Sequence, residues 1–496
     1  MLQEFNFNPL KHNALKAKKF AQYFTNMQIA TFMANMITNN NVDKISVLKI
    51  LDAGAGEGIL GIQAVRRCIK LGYKAIELTF YEIDDELHPL IQKHSADLKR
   101  HFDGQDVKID IKIKSADFVL SRPSEEYDVV IINPPYFKYS VKNSVYANAT
   151  NDLFKGNPNI YASFMAICVK SLKKNGILIS ITPRSFTNGL YFKGFRNFLY
   201  ENVSFEYIHI FKSRDKVFKD SQVLQECVIC KMIKAKQNNK IVISSSNSDI
   251  DLTSSKVNTY SKNLIFDMSN DLRMIHIPED KREADILVQA NFLESTFEKS
   301  GYFISTGPVV EHRTREFITE HNKNPDDKIY VPLIRPHNIT PMGVKLLEHG
   351  KNAYFLIDKS STKHLLKNKT YILLKRFSTK DEKKRLIAGI LHKNALTSEY
   401  VGIGNKINYI GLKNEELSKE EALGLSAVLN SKFMDDYFRC FSGNTQVNAS
   451  ELRVMKFPSR KKVQCIGKEI DGKAITEDTL EEIVLNNLFD KDMKLE

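Results

Sequence analysis

Apolar runs of strand length alternate with longer amphipathic segments between residues 45 and 182. Strands are predicted at 47–52, 76–83, 107–113, 129–132 and 177–181, and helices at 59–71 and 161–172. Strands that alternate with helices in this way are typical of a mainly parallel sheet with helices on both faces. The pattern therefore predicts a doubly wound, Rossmann-like α/β domain.

Two strand-like runs, 205–211 and 224–233, follow this region without a long helix between them. Strands joined without a crossover helix are antiparallel, so we expect an antiparallel pair at one edge of the sheet. Before the first strand, residues 21–36 show the pattern of an amphipathic helix, with Thr25 as its expected N-cap. These elements extend the predicted α/β domain on both sides.

The composition of the chain changes after Lys236, where it becomes rich in serine and asparagine. Such a stretch between periodic segments is typical of a linker, and 496 residues are enough for roughly two to four domains. We therefore expect a first domain over 1–237, a linker over 238–262 and a second domain over 263–496. The second domain shows short strands and helices without repeats, which predicts a large mixed α+β architecture.

The net charge is +13, with an isoelectric point near 9.1, and two blocks supply most of the excess. Residues 351–400 carry twelve Lys and Arg against four Asp and Glu, a net of +8, and residues 151–200 carry seven against one, a net of +6. Basic blocks are ordinarily solvated surface, but they also favour a polyanionic partner. The chain lacks the apolar runs of a signal peptide or a membrane span, so we expect a cytoplasmic protein without a membrane partner.

Six cysteines are scattered along the chain, and Cys227 and Cys230 form a CxxC pair. The pair lies within a strand-like run, and no second pair follows at the spacing of metal ligands. We therefore expect buried thiols at these two positions and no metal.

The first predicted strand ends in LDAGAGEG, a turn with glycines at 54, 56 and 58. Glycine lets the backbone turn tightly and approach a ligand closely at the start of a helix. The spacing is not the GxGxxG of a dinucleotide loop, and the GK[ST] of a P-loop is absent from the turn. By itself the turn indicates a nucleotide-type loop and argues against a dinucleotide pyrophosphate.

The next two strand ends add residues suited to adenosine. The second strand ends in FYEID, where the carboxylate of Glu82 can accept both hydroxyls of a ribose and Ile83 offers an apolar surface. The third strand is followed by SADF, where Asp117 can accept from an adenine amino group and Phe118 can pack on the ring. Each residue alone is more ordinarily a cap or a core residue. At successive strand ends of one sheet, the four together predict an adenosine pocket.

The fourth strand ends in NPPY, residues 133–136. In a doubly wound sheet this strand lies beside the first, so its carboxyl end opens into the crevice of the glycine turn. Pro134 and Pro135 leave rigid carbonyls without N–H donors, and Asn133 adds a side-chain carbonyl. Converging acceptors suit an exocyclic amine, whose lone pair they direct at an electrophile, and Tyr136 offers a ring for stacking. A simple strand terminator is the alternative interpretation.

Five motifs occur in one order along the chain, namely AQYFT, LDAGAGEG, YEID, SADF and NPPY. They resemble motifs X, I, II, III and IV of the S-adenosylmethionine-dependent adenine-N6 DNA methyltransferases of the gamma group. Residues 157–196 resemble motifs V to VII, and residues 216–229 resemble motif VIII, with Phe218 and Val223 at its defining positions. The likeness spans nearly the whole chain and is greatest to stand-alone enzymes of type II restriction-modification systems, of the PstI/BsuBI kind, with a TaqI-type catalytic domain.

The resemblance implies S-adenosyl-L-methionine as the cofactor and a role for each matching residue. Together with the pocket, it predicts that the cofactor-binding residues are Thr25, Asp52, Ala53, Gly54, Gly56, Glu82, Ile83, Asp117, Phe118 and Pro135. It implies that the target adenine flips out of the duplex and is held by Asn133, Pro134, Pro135 and Tyr136, with Phe218 stacking on its other face. Asn26 is a departure, because motif X usually carries proline after the threonine.

The second half resembles the target-recognition region of the family and contains a dense basic segment, 371–386. Lysine and arginine neutralise phosphates, while arginine and short amides read base edges. The expected phosphate contacts are Lys375, Arg376, Lys380, Lys383, Lys384 and Arg385, and the expected base contacts are Arg313, Arg315, Gln446 and Asn448. A solvated charged face is the alternative for many of these lysines.

The leading hypothesis is site-specific methylation of adenine N6 in double-stranded DNA. The resemblance implies a monomer that is functionally paired with a separate restriction endonuclease. Other interpretations stay open: NPPY also serves enzymes that methylate RNA adenine or the glutamine amide of release factors. Transfer to cytosine N4 is a further alternative, although that group more often has serine in place of Asn133. A non-catalytic DNA-binding subunit is a further alternative, against which the intact Asn133 and Glu82 argue.

Overall fold

The computed structural model divides the chain into two compact units, Met1–Glu279 and Asp280–Glu496. The residues that the structure describes are 25–39, 46–140, 144–156, 159–211, 226–268, 272–320, 330–346, 352–378, 382–441 and 446–489. The first unit is organised around one large sheet, and the second around several smaller ones.

A nine-stranded sheet forms the centre of the first unit. Its strands are β1 Leu48–Ala53, β2 Ala75–Tyr81, β3 Lys108–Lys114, β4 Tyr127–Ile132, β5 Leu172–Pro183, β6 Ser204–Phe211, β7 Cys227–Ile233, β8 Lys240–Ser246 and β9 Lys256–Ser261. They lie in the order β3-β2-β1-β4-β5-β7-β6-β8-β9. β1 to β5 pair in parallel, so the predicted doubly wound fold is confirmed.

Helices accompany this sheet throughout. They are α1 Met27–Asn35, α2 Ile59–Lys70, α3 His88–His101, α4 Phe118–Ser121, α5 Val145–Thr150, α6 Ile160–Lys170, α7 Lys193–Asn202 and α8 Lys262–Ile265, with 3₁₀ turns at Asp85–Leu87, Arg184–Thr187, Leu190–Phe192 and Leu252–Ser254. All six residues of β4 are buried, which fits a central strand with both faces covered. Partial exposure to solvent begins directly after β4, at Asn133.

The antiparallel pair predicted at the sheet edge is confirmed in β6 and β7. β7 lies between β5 and β6 and is antiparallel to both. Cys227 and Cys230 lie on β7 as free, buried thiols, as the sequence predicts. Burial raises the pKa of each thiol to about 12, so both stay protonated at neutral pH.

The stretch 238–262 is not a linker, and this prediction is wrong. It contains β8, which pairs in parallel with β6, and β9, which pairs antiparallel with β8. Two of its buried serines bind an imidazole: Ser244 Oγ and Ser246 Oγ lie 2.7 and 3.1 Å from the two ring nitrogens of His209. Burial lowers the pKa of His209 to about 4, so the ring is neutral. The first unit accordingly extends to Glu279 rather than to 237.

Helix α1 is capped by Asn26, so the prediction of Thr25 as its N-cap is wrong. Asn26 Oδ1 accepts from the Ile29 N–H at 2.9 Å, which satisfies a donor in the first turn. Asn26 Nδ2 donates to Asp249 Oδ2 at 2.5 Å, in the segment that follows β8. Asn26, the departure from the family pattern, thus ties α1 to the stretch that had the composition of a linker. Residues 21–24 of the predicted helix lie outside the described ranges.

Short strands build the second unit. They are β10 Ser295–Thr296, β11 Tyr302–Thr306, β12 Ile318–Thr319, β13 Tyr330–Ile334, β14 Ile339–Thr340, β15 Gly343–Val344, β16 Ala353–Leu356, β17 Leu366–Lys367, β18 Tyr371–Lys375, β19 Ala388–Leu391, β20 Tyr400–Ile403, β21 Ile407–Leu412 and β22 Lys456–Phe457. They form a four-stranded sheet, β11-β21-β18-β19, a five-stranded sheet, β12-β16-β13-β20-β17, and the pairs β10-β22 and β14-β15. The mixed α+β prediction for the second half is confirmed.

The helices of the second unit lie mostly after these sheets. They are α9 Lys281–Ala290, α10 Lys419–Asn430, α11 Lys432–Phe441, α12 Ala449–Val454, α13 Arg460–Ile470 and α14 Glu477–Leu488, with 3₁₀ turns at Glu311–Arg313, Arg315–Phe317, Pro336–Asn338, Thr362–His364 and Lys393–Ala395. α10 and α13 approach so closely that a side chain on Gly424 would overlap the Val463 carbonyl oxygen. Among the helices in the described ranges, none is both long and apolar enough to cross a membrane.

Candidate active site

Residues that follow the carboxyl ends of β1, β2 and β4 line a cavity of about 340 Å³ in the first unit. The predicted site residues in its wall are Thr25, Gly54, Gly56, Glu82, Ile83, Asp117, Phe118, Asn133 and Pro135. In doubly wound sheets this edge is where ligands bind. The fold thus brings residues from all five sequence motifs to one cavity.

The glycine turn is held against the end of β2. Gly54, Gly56 and Gly58 have φ angles of 73°, 57° and 78°, in the left-handed region that favours glycine. The Gly54 N–H donates to the Tyr81 carbonyl oxygen at 2.9 Å. A Cβ on Gly54 would make ordinary contact with the ring of Phe164, at 3.4 Å, so it is the positive φ that requires glycine there.

Asp52 is completely buried at the end of β1 and does not itself line the cavity. Its Oδ2 accepts from the Gly61 N–H at 2.8 Å, close to the start of α2. Its Oδ1 is buried, and no group in the described part of the chain donates to it. Burial raises the pKa of Asp52 well above its ordinary value; the Gly61 hydrogen bond opposes this, and the charge of Glu82 adds to it. A bound donor or cation would therefore stabilise Asp52 Oδ1.

The Glu82 carboxylate is fixed by two backbone donors. Its Oε2 accepts from the Gly56 N–H at 2.7 Å, and its Oε1 accepts from the Asp84 N–H at 2.9 Å. Burial raises the pKa of Glu82, although these two hydrogen bonds oppose the shift. Each carboxylate oxygen has a second lone pair, so the group can accept two further donors. The two hydroxyls of a ribose are donors of this kind.

Both oxygens of Asp117 are engaged within the protein. Asp117 is the N-cap of α4, where its Oδ1 accepts from the Leu120 N–H at 3.0 Å. Its Oδ2 accepts from the Tyr146 hydroxyl at 2.9 Å. An adenine amino group that reached Asp117 would use the second lone pair of one oxygen. Sequence reasoning did not identify Tyr146, which also lines the cavity.

Phe118 belongs to an aromatic wall that sequence reasoning found only in part. Its ring lies between those of Tyr81 and Phe164, with centroids 5.2 and 5.3 Å away, and all three rings line the cavity. Phe137, directly after NPPY, lines it as well. Phe164 comes from α6, whose apolar residues are buried as a group. No sequence signal separates it from residues that only pack in the core.

Asn133 connects the NPPY segment to residues on either side. Its Nδ2 donates to Thr25 Oγ1 at 3.0 Å, and its Oδ1 accepts from the Tyr136 hydroxyl at 2.6 Å. The same hydroxyl lies 3.1 Å from the Ile181 carbonyl oxygen, near the end of β5. The protein itself therefore fixes the orientation of the Asn133 amide.

Four of the predicted site residues do not line the cavity, namely Asp52, Ala53, Pro134 and Tyr136. Tyr136 is only 6% exposed, and its ring meets that of Tyr161 edge-on at 6.3 Å. Its hydroxyl supports Asn133 in this structure, and its stacking role stays a prediction. Phe218, predicted to stack on the other face of the base, lies outside the described ranges.

The residues predicted to contact DNA differ in exposure. Arg313 and Arg315 are exposed, on two consecutive 3₁₀ turns. The side chain of Lys383 is 90% exposed and that of Lys384 is 18% exposed. Lys375 is half-buried at the end of β18. Lys380 lies outside the described ranges.

Arg385 is completely buried, and the prediction that it contacts phosphate is wrong. Its guanidinium lies 4.8 Å from the centre of the Phe438 ring, and its backbone N–H donates to Asp435 Oδ1 at 2.7 Å. In a run of cations, the sequence does not distinguish the one that turns inward from its exposed neighbours.

Two of the remaining predicted residues form a pair. Arg376 Nη2 donates to Gln446 Oε1 at 3.2 Å, while Arg376 Nη1 donates to the Asn405 carbonyl oxygen at 3.1 Å. Asn448 occupies the N-cap position of α12 and donates to Glu451 Oε1 at 3.3 Å. The structure therefore brings Arg376 and Gln446 together, and their mutual hydrogen bond orients both side chains.

The chain is similar to known proteins over nearly its whole length. The family model described as Eco57I restriction-modification methylase matches residues 59–218. The type II methyltransferase M.BsuBI of Bacillus subtilis is 34% identical over 97% of this chain and 96% of that protein, and M.PstI of Providencia stuartii is 31% identical over 95% and 93%. The type IIL restriction-modification enzyme MmeI, solved in complex with DNA, shares the fold, with a TM-score of 0.56 at 11% identity over 89% of this chain and 69% of that chain.

Proposed function

The chain belongs to the type II methyltransferases of restriction-modification systems, and on that premise we propose that it methylates adenine N6 at one short sequence in double-stranded DNA. Its cofactor, S-adenosylmethionine, supplies an activated methyl group. In this proposal a separate restriction endonuclease recognises the same sequence, and methylation prevents it from cutting. A single copy of the chain is proposed to act on each site.

The cavity fits S-adenosylmethionine. Its volume, about 340 Å³, is within the range of small-molecule sites. The Glu82 carboxylate can accept two ribose hydroxyls, while Ile83, 52% exposed, and Phe118 offer apolar surface to the adenine ring. Asp117 is proposed to accept from the amino group of that ring. Asp52 stands behind the glycine turn, and its Oδ1, to which no described group donates, is proposed to accept from the charged methionine part.

The observation that carries the proposal is the position of Asn133 in the wall of this cavity, bonded to Thr25. With its Nδ2 donating to Thr25, Asn133 presents its carbonyl oxygen as an acceptor. The adjoining prolines have no N–H, so their backbone also offers acceptors alone. This acceptor-only segment suits an exocyclic amine and disfavours the carbonyl oxygens of guanine and thymine.

The amine of adenine is a weak nucleophile because its lone pair is conjugated with the ring. When its two hydrogens are donated to Asn133 Oδ1 and a proline carbonyl, the lone pair turns out of conjugation toward the methyl group. The nitrogen loses a proton after it is methylated, so a strong base is not required. The residues of NPPY thus act by orienting the amine.

A duplex hides this amine in its base stack, so the adenine must leave the stack at a cost of a few kcal/mol. The exposed Arg313 and Arg315 and the basic segment 371–386 are proposed to bind DNA and offset that cost. Tyr136 and Phe218 are proposed to flank the extruded adenine, and the hydroxyl of Tyr136 also holds Asn133.

Transfer of tritium from labelled S-adenosylmethionine into duplex DNA tests the proposal. The wild type is expected to label one short sequence, which single-molecule sequencing of DNA from a methylation-free host expressing the chain identifies. Asn133→Ala is expected to lower transfer by at least about 100-fold, since it removes a preorganised polar contact to the reacting group. Its cofactor affinity, measured by calorimetry, is expected to be unchanged. Asn291→Ala, at an exposed position, is the matched control.

Digestion of the labelled DNA to nucleosides separates the alternatives. N6-methyldeoxyadenosine supports the proposal, whereas N4-methyldeoxycytidine would assign the same chemistry to a different base. Label in ribosomal RNA and none in duplex DNA would refute DNA as the substrate. Cofactor binding without transfer to any adenine-containing duplex would refute the proposal and favour a non-catalytic subunit.

A further inference from the structure

An exposed apolar pair, Leu190 and Tyr191, lies on the second 3₁₀ turn after β5. Tyr191 is 72% exposed and Leu190 is 37% exposed, whereas Phe192, the next residue, is buried. A single exposed apolar residue is ordinary on a protein surface. The position and the rigidity of this turn set it apart.

A buried arginine holds the turn in place. Arg196 is 1% exposed, and its Nη1 donates to the carbonyl oxygens of Phe186 and Gly189, at 2.9 and 2.7 Å. Its Nε donates to the Leu272 carbonyl oxygen at 2.8 Å. Gly189 directly precedes the exposed pair, so the pair projects from a fixed base. A backbone segment that is already fixed loses less conformational entropy when it binds than a flexible one.

Two glycines bring a lysine beside the same turn. A side chain on Gly156 would lie 2.7 Å from the Tyr191 carbonyl oxygen, and one on Gly194 would overlap the Lys155 carbonyl oxygen. The backbone at 155–156 therefore packs directly on the turn. Lys155 is exposed, within a block of the sequence whose net charge is +6.

Ring contacts connect this turn to the NPPY segment. Phe192 stacks on Tyr161, with centroids 5.6 Å apart and planes at 24°, and Tyr161 meets Tyr136 edge-on at 6.3 Å. β4 and β5 are parallel neighbours, so NPPY and the turn both follow carboxyl ends at the same edge of the sheet. Two ring contacts, through Phe192 and Tyr161, therefore connect the turn that carries Tyr191 to Tyr136 of NPPY.

We propose that the Leu190–Tyr191 turn is a DNA wedge, in which the Tyr191 ring packs against the bases beside the extruded nucleotide while Lys155 contacts the backbone phosphate. This inference rests on the proposed function and adds to it a contact from the methyltransferase unit itself. When alanine replaces an aromatic residue that stacks on a base, the affinity for nucleic acid falls about 5- to 150-fold. A contact of that size offsets a large part of the cost of base extrusion.

The test uses the full chain and duplex oligonucleotides that carry the site found by sequencing. Tyr191→Ala is expected to lower kcat/KM on the matched duplex about 5- to 150-fold and to reduce the fluorescence of 2-aminopurine placed at the target position, because fewer bases are extruded. Tyr191→Phe, which keeps the ring, is expected to retain both. Val257→Ala, at an exposed position on β9, is the control for loss of a surface apolar group.

A duplex in which the target adenine is mispaired separates a wedge from a structural role. Mispairing makes extrusion cheaper, so the defect of Tyr191→Ala is expected to shrink to less than about threefold on that duplex. An equal defect on matched and mispaired duplexes, or wild-type activity of Tyr191→Ala on the matched one, would overturn the wedge. If the wild type methylates neither duplex, the proposed function itself fails, and this inference fails with it.

Discussion

Replacement of Glu82 by glutamine tests the cofactor half of the site. The variant keeps the size of the side chain and converts one carboxylate oxygen into an NH₂ group. Both oxygens accept from backbone N–H groups, those of Gly56 at 2.7 Å and Asp84 at 2.9 Å. Either orientation of the glutamine amide therefore sets a donor against a donor. An isosteric substitution is not conservative at this position.

The expected loss of cofactor affinity follows from this geometry. The hydrogen bond to the glycine turn is lost in the free and in the cofactor-bound protein alike, so its loss largely cancels from the binding free energy. The change in affinity therefore reports mainly the contacts of Glu82 to the ribose hydroxyls. A hydrogen bond to a charged group contributes about 1.5–3 kcal/mol. Loss of one such bond weakens binding of S-adenosylmethionine about 10- to 160-fold.

Glu82 also predicts how binding depends on pH. Burial raises its pKa, and only the carboxylate form accepts both ribose hydroxyls. Affinity is therefore full above the raised pKa and falls as the pH decreases through it. Glutamine does not titrate, so this part of the profile is expected to vanish in Glu82→Gln. Asp52, whose pKa burial also raises, titrates in both proteins, but its pKa is expected to be less raised in the variant because the charge of Glu82 no longer adds to the shift.

Isothermal titration calorimetry at several pH values measures these quantities. Glu86→Gln, at an exposed carboxylate of the following turn, controls for the loss of one negative charge. Thermal melting without ligand reports the broken turn contact separately. An affinity of Glu82→Gln within threefold of the wild type, or an unchanged pH profile, would refute the assignment of the ribose to Glu82.

Two further substitutions test contacts inside each unit. Asp249→Ala removes the acceptor of the Asn26 amide and is expected to loosen α1 together with Thr25, lowering kcat about 2- to 10-fold. The double variant with Asn26→Ala should then be no slower than the slower single variant, and additive losses would contradict the coupling. Arg385→Ala removes a completely buried side chain and is expected to lower the free energy of unfolding in urea by about 2–4 kcal/mol. Lys383→Ala is expected to change it by less than about 0.5 kcal/mol, and equal effects of the two would contradict the burial of Arg385.

The sequence predicted the parallel strands and the residues at their ends because those signals are local. A buried strand, a tight glycine turn and a polar strand end can each be recognised from the residue types at a few neighbouring positions. In a parallel sheet, such ends must meet at one edge. The positions of Gly54, Glu82, Asp117 and Asn133 around one cavity could therefore be predicted before any contact was known.

The errors come from contacts between residues far apart in the chain. The serine-rich composition around β8 predicted a linker, whereas Ser244 and Ser246 hydrogen-bond to His209, which lies 35 residues before Ser244. Phe164 lines the cavity, although its helix has the composition of any buried helix. Arg385 is buried with its guanidinium packed on the ring of Phe438, a residue distant in the sequence. Each of these placements is set by tertiary partners that short-range patterns do not encode.

The pairing of β8 and β9 with the sheet sets where the second unit, the proposed recognition unit, can be exchanged between relatives. A chimera joined after residue 237 would separate β6 from its own partner β8, and a replacement strand that pairs poorly would expose backbone groups that promote aggregation. It would also replace Asp249, the partner of Asn26. A junction after Glu279 keeps the strands of the large sheet with their neighbours. Exchange of the proposed recognition unit is therefore expected to succeed when the stretch up to Glu279 is kept as one block.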